Sequence, residues 1–154
     1  MPTKKTPKKT RPRGSPVIQL AVAGTPSAAL LRRFALAAKP ARAEVTLRVV
    51  DAREARRLNG KYRTKTYATN VLSFPYGDGS GDVLLCHPVI ALEAKQQGKT
   101  LRAHYAHLVV HGVLHLRGHN HLRKNDAVRM ERAEIRILRS LGFADPYALG
   151  EAVK

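Results

Sequence analysis

Residues 101–121 read LRAHYAHLVVHGVLHLRGHNH, and everything else in the chain can be placed relative to this stretch. Apolar residues recur at helical spacing, which predicts one long helix from about Leu101 to Arg117, ended by Gly118. His111 and His115 are four residues apart, so their rings lie on one face about one turn from each other. Gly118 lets the chain turn back, and His121 can then approach the same point from another direction.

This spacing predicts a metal site with His111, His115 and His121 as ligands. Two imidazole nitrogens from adjacent turns can reach one ion at about 2.0–2.1 Å, the usual zinc–nitrogen distance. Three neutral histidines leave a fourth position for water, which is typical of catalytic rather than structural zinc. The sequence therefore favours one Zn²⁺ ion, although imidazole also suits nickel, copper and iron. The alternative, a structural patch of histidines, is less consistent with three of them at this spacing.

Two more histidines, His104 and His107, share the helix face. With His107 as third ligand, the rings of His107, His111 and His115 would spread along about 12 Å of straight helix. Rings arranged in that way cannot converge on one tetrahedral centre. We therefore interpret His104 and His107 as residues that pack beside the ligands or support them. His119, next to the predicted site, remains a possible competing ligand.

The residue after the first histidine restricts the chemistry. Zinc proteases with similar histidine spacing carry a glutamate there as general base, whereas this chain has Gly112. A glycine cannot take a proton from water, so peptide hydrolysis by that route is disfavoured. Phosphodiester hydrolysis depends more on charge stabilisation, which a nearby arginine can supply. The 2′-hydroxyl of RNA is a further potential nucleophile.

The charge of the chain indicates a nucleic-acid partner. Its 28 Lys and Arg against 11 Asp and Glu give a net charge of +17 and a pI near 10.8. Such a domain carries the electrostatic character of a nucleic-acid binder. Residues 1–16 contain six basic and no acidic residues and are predicted to be a disordered tail. The remaining domain, residues 17–154, still carries +11, so it is basic without the tail.

Several classes of protein are disfavoured by the same sequence. Cys86 is the only cysteine, so no internal disulfide or multi-cysteine metal site can form, and a reducing cytoplasm is expected. No apolar run reaches about 18 residues, so no membrane span is expected. The apolar stretch Val17–Gly24 resembles a signal peptide, but Thr25-Pro26 and Arg32-Arg33 interrupt it.

Alternating periodicities predict a single domain of mixed strands and helices. The predicted strands are Val17–Ala23, a strand around Val45–Val49, Val71–Phe74 stopped by Pro75, and Asp82–Cys86. The predicted helices begin at Thr25-Pro26, at a cap on Asp51, at Pro88, at Leu101 and at a cap on Asp126. The helix that follows Asp51 is expected to end near Asn59-Gly60, with a polar basic loop over residues 61–69.

Three blocks in order resemble the YbeY family of rRNA maturation endoribonucleases. The first runs from Leu58-Asn59-Gly-Lys-Tyr62-Arg63 to Thr69-Asn70-Val-Leu-Ser-Phe-Pro75. The second is Gly81-Asp82-Val83, and the third is the histidine motif from His111 to His121. Asp145-Pro146-Tyr147 closes the match, which spans roughly residues 51–147.

The resemblance implies a zincin-like α+β domain with a small mixed β-sheet and a metal site at the end of a long helix. It implies a zinc-dependent endonuclease specific for single-stranded RNA that acts in 16S rRNA 3′-end maturation and ribosome quality control. The expected partners are rRNA of the small ribosomal subunit and ribosome-assembly proteins, with no membrane and no DNA. Arg63 is implied as the functional arginine, so Arg63 and His115 are the candidate catalytic residues.

Two positions depart from the family pattern, and two other functions remain open. The family usually has Gly-Tyr-Asp-His where this chain has Gly118-His119-Asn120-His121. Asn120 can orient a neighbour through its amide oxygen but is not a base at neutral pH. The turn between Pro75 and Gly81 is short for the family. An RNA-binding assembly factor with a structural zinc is one alternative function, and a metalloprotease is a weaker one.

Overall fold

Four strands and five helices alternate along the part of the chain that this computed structural model describes, residues 14–63 and 69–147, with residues 62 and 63 described as backbone only. In chain order they are β1 Val17–Leu20, α1 Ala28–Ala38, β2 Val45–Val50, α2 Ala52–Arg63, β3 Val71–Gly77, β4 Ser80–Cys86, α3 His87–Gln96, α4 Leu101–Leu116 and α5 Lys124–Ser140. This confirms the predicted α+β class.

The strands form one mixed sheet in the order β1-β2-β4-β3. The β1–β2 and β2–β4 pairs are parallel, whereas β3 and β4 form an antiparallel hairpin in which Ser73 faces Val83. From Gly81 to Cys86 β4 is buried, as expected for a central strand covered on both faces. The predicted small mixed sheet is therefore confirmed.

Helices cover both faces of the sheet and bury α4 in the middle of the protein. The larger core cluster combines the sheet with α1, α4 and α5 and includes Phe34, Leu47 and Tyr105, all nearly inaccessible to solvent. The smaller cluster lies on the opposite face, where Leu58 of α2 packs with Leu84 and Cys86 of β4. Because α4 contacts the sheet and three helices, the position of its histidines is fixed from several sides.

Most predicted helix boundaries are confirmed. The long helix runs over Leu101–Leu116, with Thr100 as its N-cap and Gly118 in the left-handed region just after its end. The predicted cap on Asp51 is present, because its Oδ1 accepts the Glu54 N–H at 2.9 Å.

Several boundary predictions are wrong: β1 ends at Leu20 rather than at Ala23, and α1 begins at Ala28, capped by Ser27, rather than at Thr25-Pro26. The α2 helix continues past Gly60 to Arg63, because Leu58 and Asn59 face the core and their burial outweighs the weak helix propensity of glycine. Strand β3 continues through Pro75, which is tolerated because β3 lies at the sheet edge. Helix α5 begins at Lys124, so Asp126 lies in its first turn rather than at its cap.

Residues 1–13 of the predicted tail 1–16 lie outside the described residues, so the division into a tail and a domain over residues 17–154 stays a prediction. Among the described helices, none combines the length and the apolar character needed to cross a bilayer.

Candidate metal centre

The predicted pair at the end of α4 comes together as expected. The Nε2 atoms of His111 and His115 are 3.2 Å apart, and their rings are nearly perpendicular. Two ligands of a tetrahedral zinc ion at the usual bond length are roughly 3.4 Å from each other. The spacing of the two nitrogens therefore fits two corners of one coordination tetrahedron.

The hydrogen bonds behind these rings determine which nitrogen carries the proton. The Nδ1 of His111 donates to the Glu134 carboxylate at 2.5 Å, and the Nδ1 of His115 donates to the His119 carbonyl at 2.9 Å. Both partners can only accept, so in the neutral rings both Nε2 atoms carry a lone pair. Two lone pairs 3.2 Å apart repel each other unless a cation lies between them. This arrangement, with each ligand histidine held by an acceptor on its other nitrogen, is typical of protein zinc sites.

A tight turn after α4 brings His121 to the same place. The N–H of His119 donates to the Leu114 carbonyl and the N–H of Gly118 to the His115 carbonyl, the two bonds of a Schellman motif. Gly118 adopts a φ of 97°, which favours glycine strongly. The ring centroid of His121 then lies 5.4 Å from that of His111 and 5.0 Å from that of His115. The ligand atoms of the three residues all lie within 4.8 Å of one another.

Asn120 supports this turn. Its Oδ1 accepts the backbone N–H of Leu122 at 3.0 Å, which holds the peptide bonds on both sides of His121. The amide therefore orients the backbone, which is one of the roles considered for it from the sequence. The ring of His119 belongs to neither of the metal-sized ligand groups found among the described residues, so the geometry does not favour it as a competing ligand.

The charge state of His115 suits a metal ligand. Burial lowers its pKa to about 4, and the neighbouring His111 and His121 act in the same direction. The ring is therefore neutral at pH 7, and no proton has to leave Nε2 before an ion binds.

Behind the three histidines lies Glu134 of α5, a fully buried carboxylate. Besides His111, it accepts a hydrogen bond from the Tyr147 hydroxyl and lies 3.3 Å from the Nε2 of His107. Burial alone would raise the pKa of Glu134, but the hydrogen bonds from His107, His111 and Tyr147 outweigh it and bring this pKa to about 2. Glu134 is thus an ionised acceptor that holds the imidazole of His111 in its metal-binding tautomer.

Sequence reasoning missed Glu134, although a signal was present. On α5 the buried positions follow helical spacing through Met130, Ala133, Ile137 and Leu138, and Glu134 falls within this apolar face. A carboxylate at such a position must find donors, because an unpaired buried charge is costly. Its partner on α4 could not be inferred from local pattern, since the contact joins residues 23 positions apart.

Glu134 also belongs to a second possible ligand group with His107 and His111. Metal binding by that group through the Nδ1 of His111 would require this nitrogen to give up the proton that it donates to Glu134. Burial and the bond to Glu134 raise the pKa of Tyr147, so this phenol keeps its proton and donates. The three-histidine group is therefore the better candidate for an ion, with Glu134, His107 and Tyr147 placed to support it.

His104 lies near the start of α4 and belongs to a separate polar group. Its Nε2 is 2.9 Å from a carboxylate oxygen of Glu93, which also accepts from the side chain of Asn70. Burial lowers the pKa of His104. As predicted, His104 and His107 lie outside the three-histidine group.

Gly112, which replaces the base of the zinc proteases, is held against the sheet. A Cβ atom built on it would lie 2.7 Å from Cγ1 of Val83 and 3.3 Å from both Ser73 Oγ and Val71 Cγ2. The Ser73 hydroxyl also donates to the Gly112 carbonyl at 2.9 Å. A side chain at position 112 would therefore point into the sheet and away from the metal face, so close packing explains why no base stands here.

Replacing Gly112 by alanine is expected to destabilise the protein by about 1–3 kcal/mol, because Val83 is fully buried and its branched side chain cannot move aside cheaply. Urea unfolding of the metal-loaded protein measures the change in the free energy of unfolding. In a Val83→Ala background, which removes the clashing methyl group, the same replacement should cost less. A Gly112→Ala variant as stable as the parent would contradict the close contact.

The predicted catalytic arginine cannot be placed in the same detail. Arg63 is the last residue of α2 rather than part of a loop, and its side chain lies outside the described residues. Its contact with the site stays a prediction. Other arginines lie near the metal-binding turn, residues 118–121. Burial lowers the pKa of His119, and the positive charges of Arg117, Arg129 and Arg136 lower it further.

Comparison with known proteins identifies relatives that match most of the chain. Residues 26–142 match the model of the family described as Endoribonuclease YbeY. A protein named Endoribonuclease YbeY from Aromatoleum aromaticum is 53% identical over 129 residues, which cover 82% of this chain and 84% of the relative. Proteins of the same name from Nitrosospira multiformis and Polynucleobacter asymbioticus are 51% and 46% identical, covering 83% and 86% of this chain and 78% and 88% of their own lengths.

The fold has a counterpart among solved structures. The solution structure of TM1509 from Thermotoga maritima aligns with a TM-score of 0.55 at 20% identity, covering 84% of this chain and 98% of that one. At this identity the similarity concerns the fold alone.

Proposed function

This chain belongs to the Endoribonuclease YbeY family, and we propose on that premise that it is a zinc-dependent endoribonuclease specific for single-stranded RNA. The observation that supports a metal-dependent reaction most strongly is the 3.2 Å distance between the Nε2 atoms of His111 and His115, whose Nδ1 atoms each face an acceptor. With His121 they form a neutral set of three nitrogen donors. Such a set favours zinc over magnesium or calcium, which prefer oxygen ligands.

Different residues of the chain have different roles in the proposed hydrolysis of RNA. A bound zinc ion supplies a Lewis acid that polarises a phosphoryl oxygen and lowers the pKa of water. His111, His115 and His121 hold it, and Glu134 keeps His111 in the required tautomer. Arg63 is proposed to contact the scissile phosphate and to stabilise the charge that develops on it, as bidentate guanidinium groups do.

The biological substrate is proposed to be the 3′ end of 16S rRNA, with roles in its maturation and in ribosome quality control. The resemblance of the three sequence blocks supports this, and so does the net charge of +17, which favours a polyanionic partner. The same proposal includes binding to small-subunit rRNA and to ribosome-assembly proteins. It also includes a cytoplasmic location. A metalloprotease is not supported, since no side chain at position 112 could face the metal.

Replacement of Arg63 by glutamate is expected to slow cleavage of a single-stranded 3′ fragment of 16S rRNA by about a hundredfold or more, the usual cost of losing one charge-stabilising group. The assay uses metal-loaded full-length protein, and metal content is measured for each variant. Arg102→Glu makes the same charge change at an exposed position at the start of α4 and should stay close to the parent rate.

Two outcomes would contradict the proposed function. If Arg63→Glu cuts the fragment at the parent rate with its zinc bound, the phosphate contact is absent or the activity comes from a contaminant. If the metal-loaded parent binds the fragment without ever cutting it, while chelation melts the protein, the zinc is structural and the protein is an RNA-binding assembly factor.

A further inference from the structure

Helix α5 carries a row of arginines on the side opposite its buried carboxylate. Arg129, Arg132, Arg136 and Arg139 are spaced by three, four and three residues, and all four are exposed. By the helical period they fall within an arc of about 80° and extend over about 15 Å. We refer to these four residues as the arginine stripe.

Few carboxylates neutralise the positive charge of the arginine stripe. Arg129 pairs with Asp126 at 2.9 Å, but among the described residues no carboxylate forms an ion pair with Arg132, Arg136 or Arg139. Like charges three or four residues apart on a helix disfavour it by a few tenths of a kcal/mol per pair. The fold retains three such neighbouring pairs, and their repulsion would be relieved by an anionic partner.

The surface beside the arginine stripe has the shape and chemistry of a nucleotide contact. A depression of about 420 Å³ is lined by Arg132, Ile135, Arg136, Arg139 and Ser140, so three arginines and one aliphatic side chain share it. Guanidinium groups suit phosphates, and the half-buried Ile135 offers an apolar surface to a ribose or a base.

A second depression connects the arginine stripe with the metal-binding turn. It has a volume of about 260 Å³ and is lined by Arg117, Gly118, His119, Asn120, Asp126 and Arg129. Arg129 belongs both to this depression and to the arginine stripe, and His121 follows directly after its lining residues. A polyanionic strand could therefore run along α5 and end at the metal ligands with basic side chains along most of its course.

We propose that Arg132, Arg136 and Arg139 hold the phosphate backbone of the substrate RNA several nucleotides from the bond that is cut. This inference rests on the proposed function for the identity of the ligand, namely single-stranded RNA. The contact is to phosphates, so it adds affinity without selecting a base sequence. The contact lies on the outer face of α5, on the side of the helix opposite Glu134, which contacts His111.

The test is a salt titration of RNA affinity with two triple variants. Arg132→Gln/Arg136→Gln/Arg139→Gln removes the three uncompensated charges, whereas Arg33→Gln/Lys95→Gln/Arg102→Gln removes three exposed charges from α1, α3 and α4. Binding of a fluorescent 20-nucleotide 2′-O-methyl phosphorothioate oligouridylate, which resists cleavage, to metal-loaded full-length protein is followed from about 50 to 200 mM salt. Loss of three phosphate contacts should lower the slope of log K against log salt by about 2 for a single strand.

The expected result is a Kd about tenfold higher near 0.1 M salt and the lower slope for the α5 variant only. A tetranucleotide, too short to reach both sites, should bind both variants as it binds the parent. Equal affinity and equal slope in the parent and the α5 variant would overturn the proposal and point to an acidic protein surface as the partner of α5. Because binding is measured without cleavage, failure of the nuclease assay would not produce this outcome.

Discussion

His115→Ala is expected to lower bound zinc from about one equivalent per chain to less than about a tenth of one, and to abolish RNA cleavage with it. The reason is geometric, since loss of the His115 ring leaves two nitrogens, and a protein site for zinc needs at least three ligands. Elemental analysis of protein purified without chelators measures the metal content. His121→Ala should behave similarly, although its ligand comes from a turn rather than from the helix.

His119→Ala is the matched control for both variants. It removes an imidazole of the same turn, but the bond that positions His115 goes to the backbone carbonyl of residue 119, which alanine keeps. The His119→Ala variant should therefore retain about one equivalent of zinc. Full metal content in His115→Ala, or loss of metal in His119→Ala with His121→Ala unaffected, would show that the three-histidine assignment is wrong.

The reason that the convergence of His111, His115 and His121 could be predicted from the sequence is that their arrangement is local. Helical spacing alone places His111 and His115 on one face, and Gly118 alone specifies where the helix ends and the chain reverses. Both features act within about ten residues, so they need no knowledge of the remaining fold. The exclusion of His107 followed from the same geometry, because a straight helix cannot bring three rings to one centre.

What could not be predicted depends on contacts between distant elements. Glu134 contacts His111, and Tyr147 in turn contacts Glu134, only because distant parts of the chain pack together. Neither the tautomer of His111 nor the need for a glycine at position 112 is therefore visible in the local sequence. The failures in element length have the same origin. Burial of Leu58 extends α2 beyond Gly60, and the edge position of β3 admits Pro75, so tertiary context overrode local propensity.

Glu134→Gln is expected to weaken zinc binding by about 10–100-fold, although residue 134 does not touch the metal. Glutamine keeps the shape of the side chain but offers one oxygen in place of two, while His111 and Tyr147 both donate to the carboxylate. If the new amide group faces His111, its ring must move the proton from Nδ1 to Nε2 and lose the lone pair that binds zinc. If it faces Tyr147 instead, the phenol loses its acceptor and the support of the ring weakens. Competition with a chelating indicator measures the zinc affinity.

A structural role for Glu134 would lower stability without changing the tautomer of His111, so the decisive measurement is the nitrogen-15 spectrum of the histidine rings. In the metal-free parent the proton should lie on Nδ1 of His111, and in Glu134→Gln it should shift toward Nε2. Glu131→Gln removes an exposed carboxylate from the same helix and should change neither the tautomer nor the zinc affinity. Parent-like zinc affinity in Glu134→Gln, with the proton still on Nδ1, would mean that the backbone of α4 alone orients His111. The buried carboxylate would then serve only to fasten α5 and Tyr147 to the core.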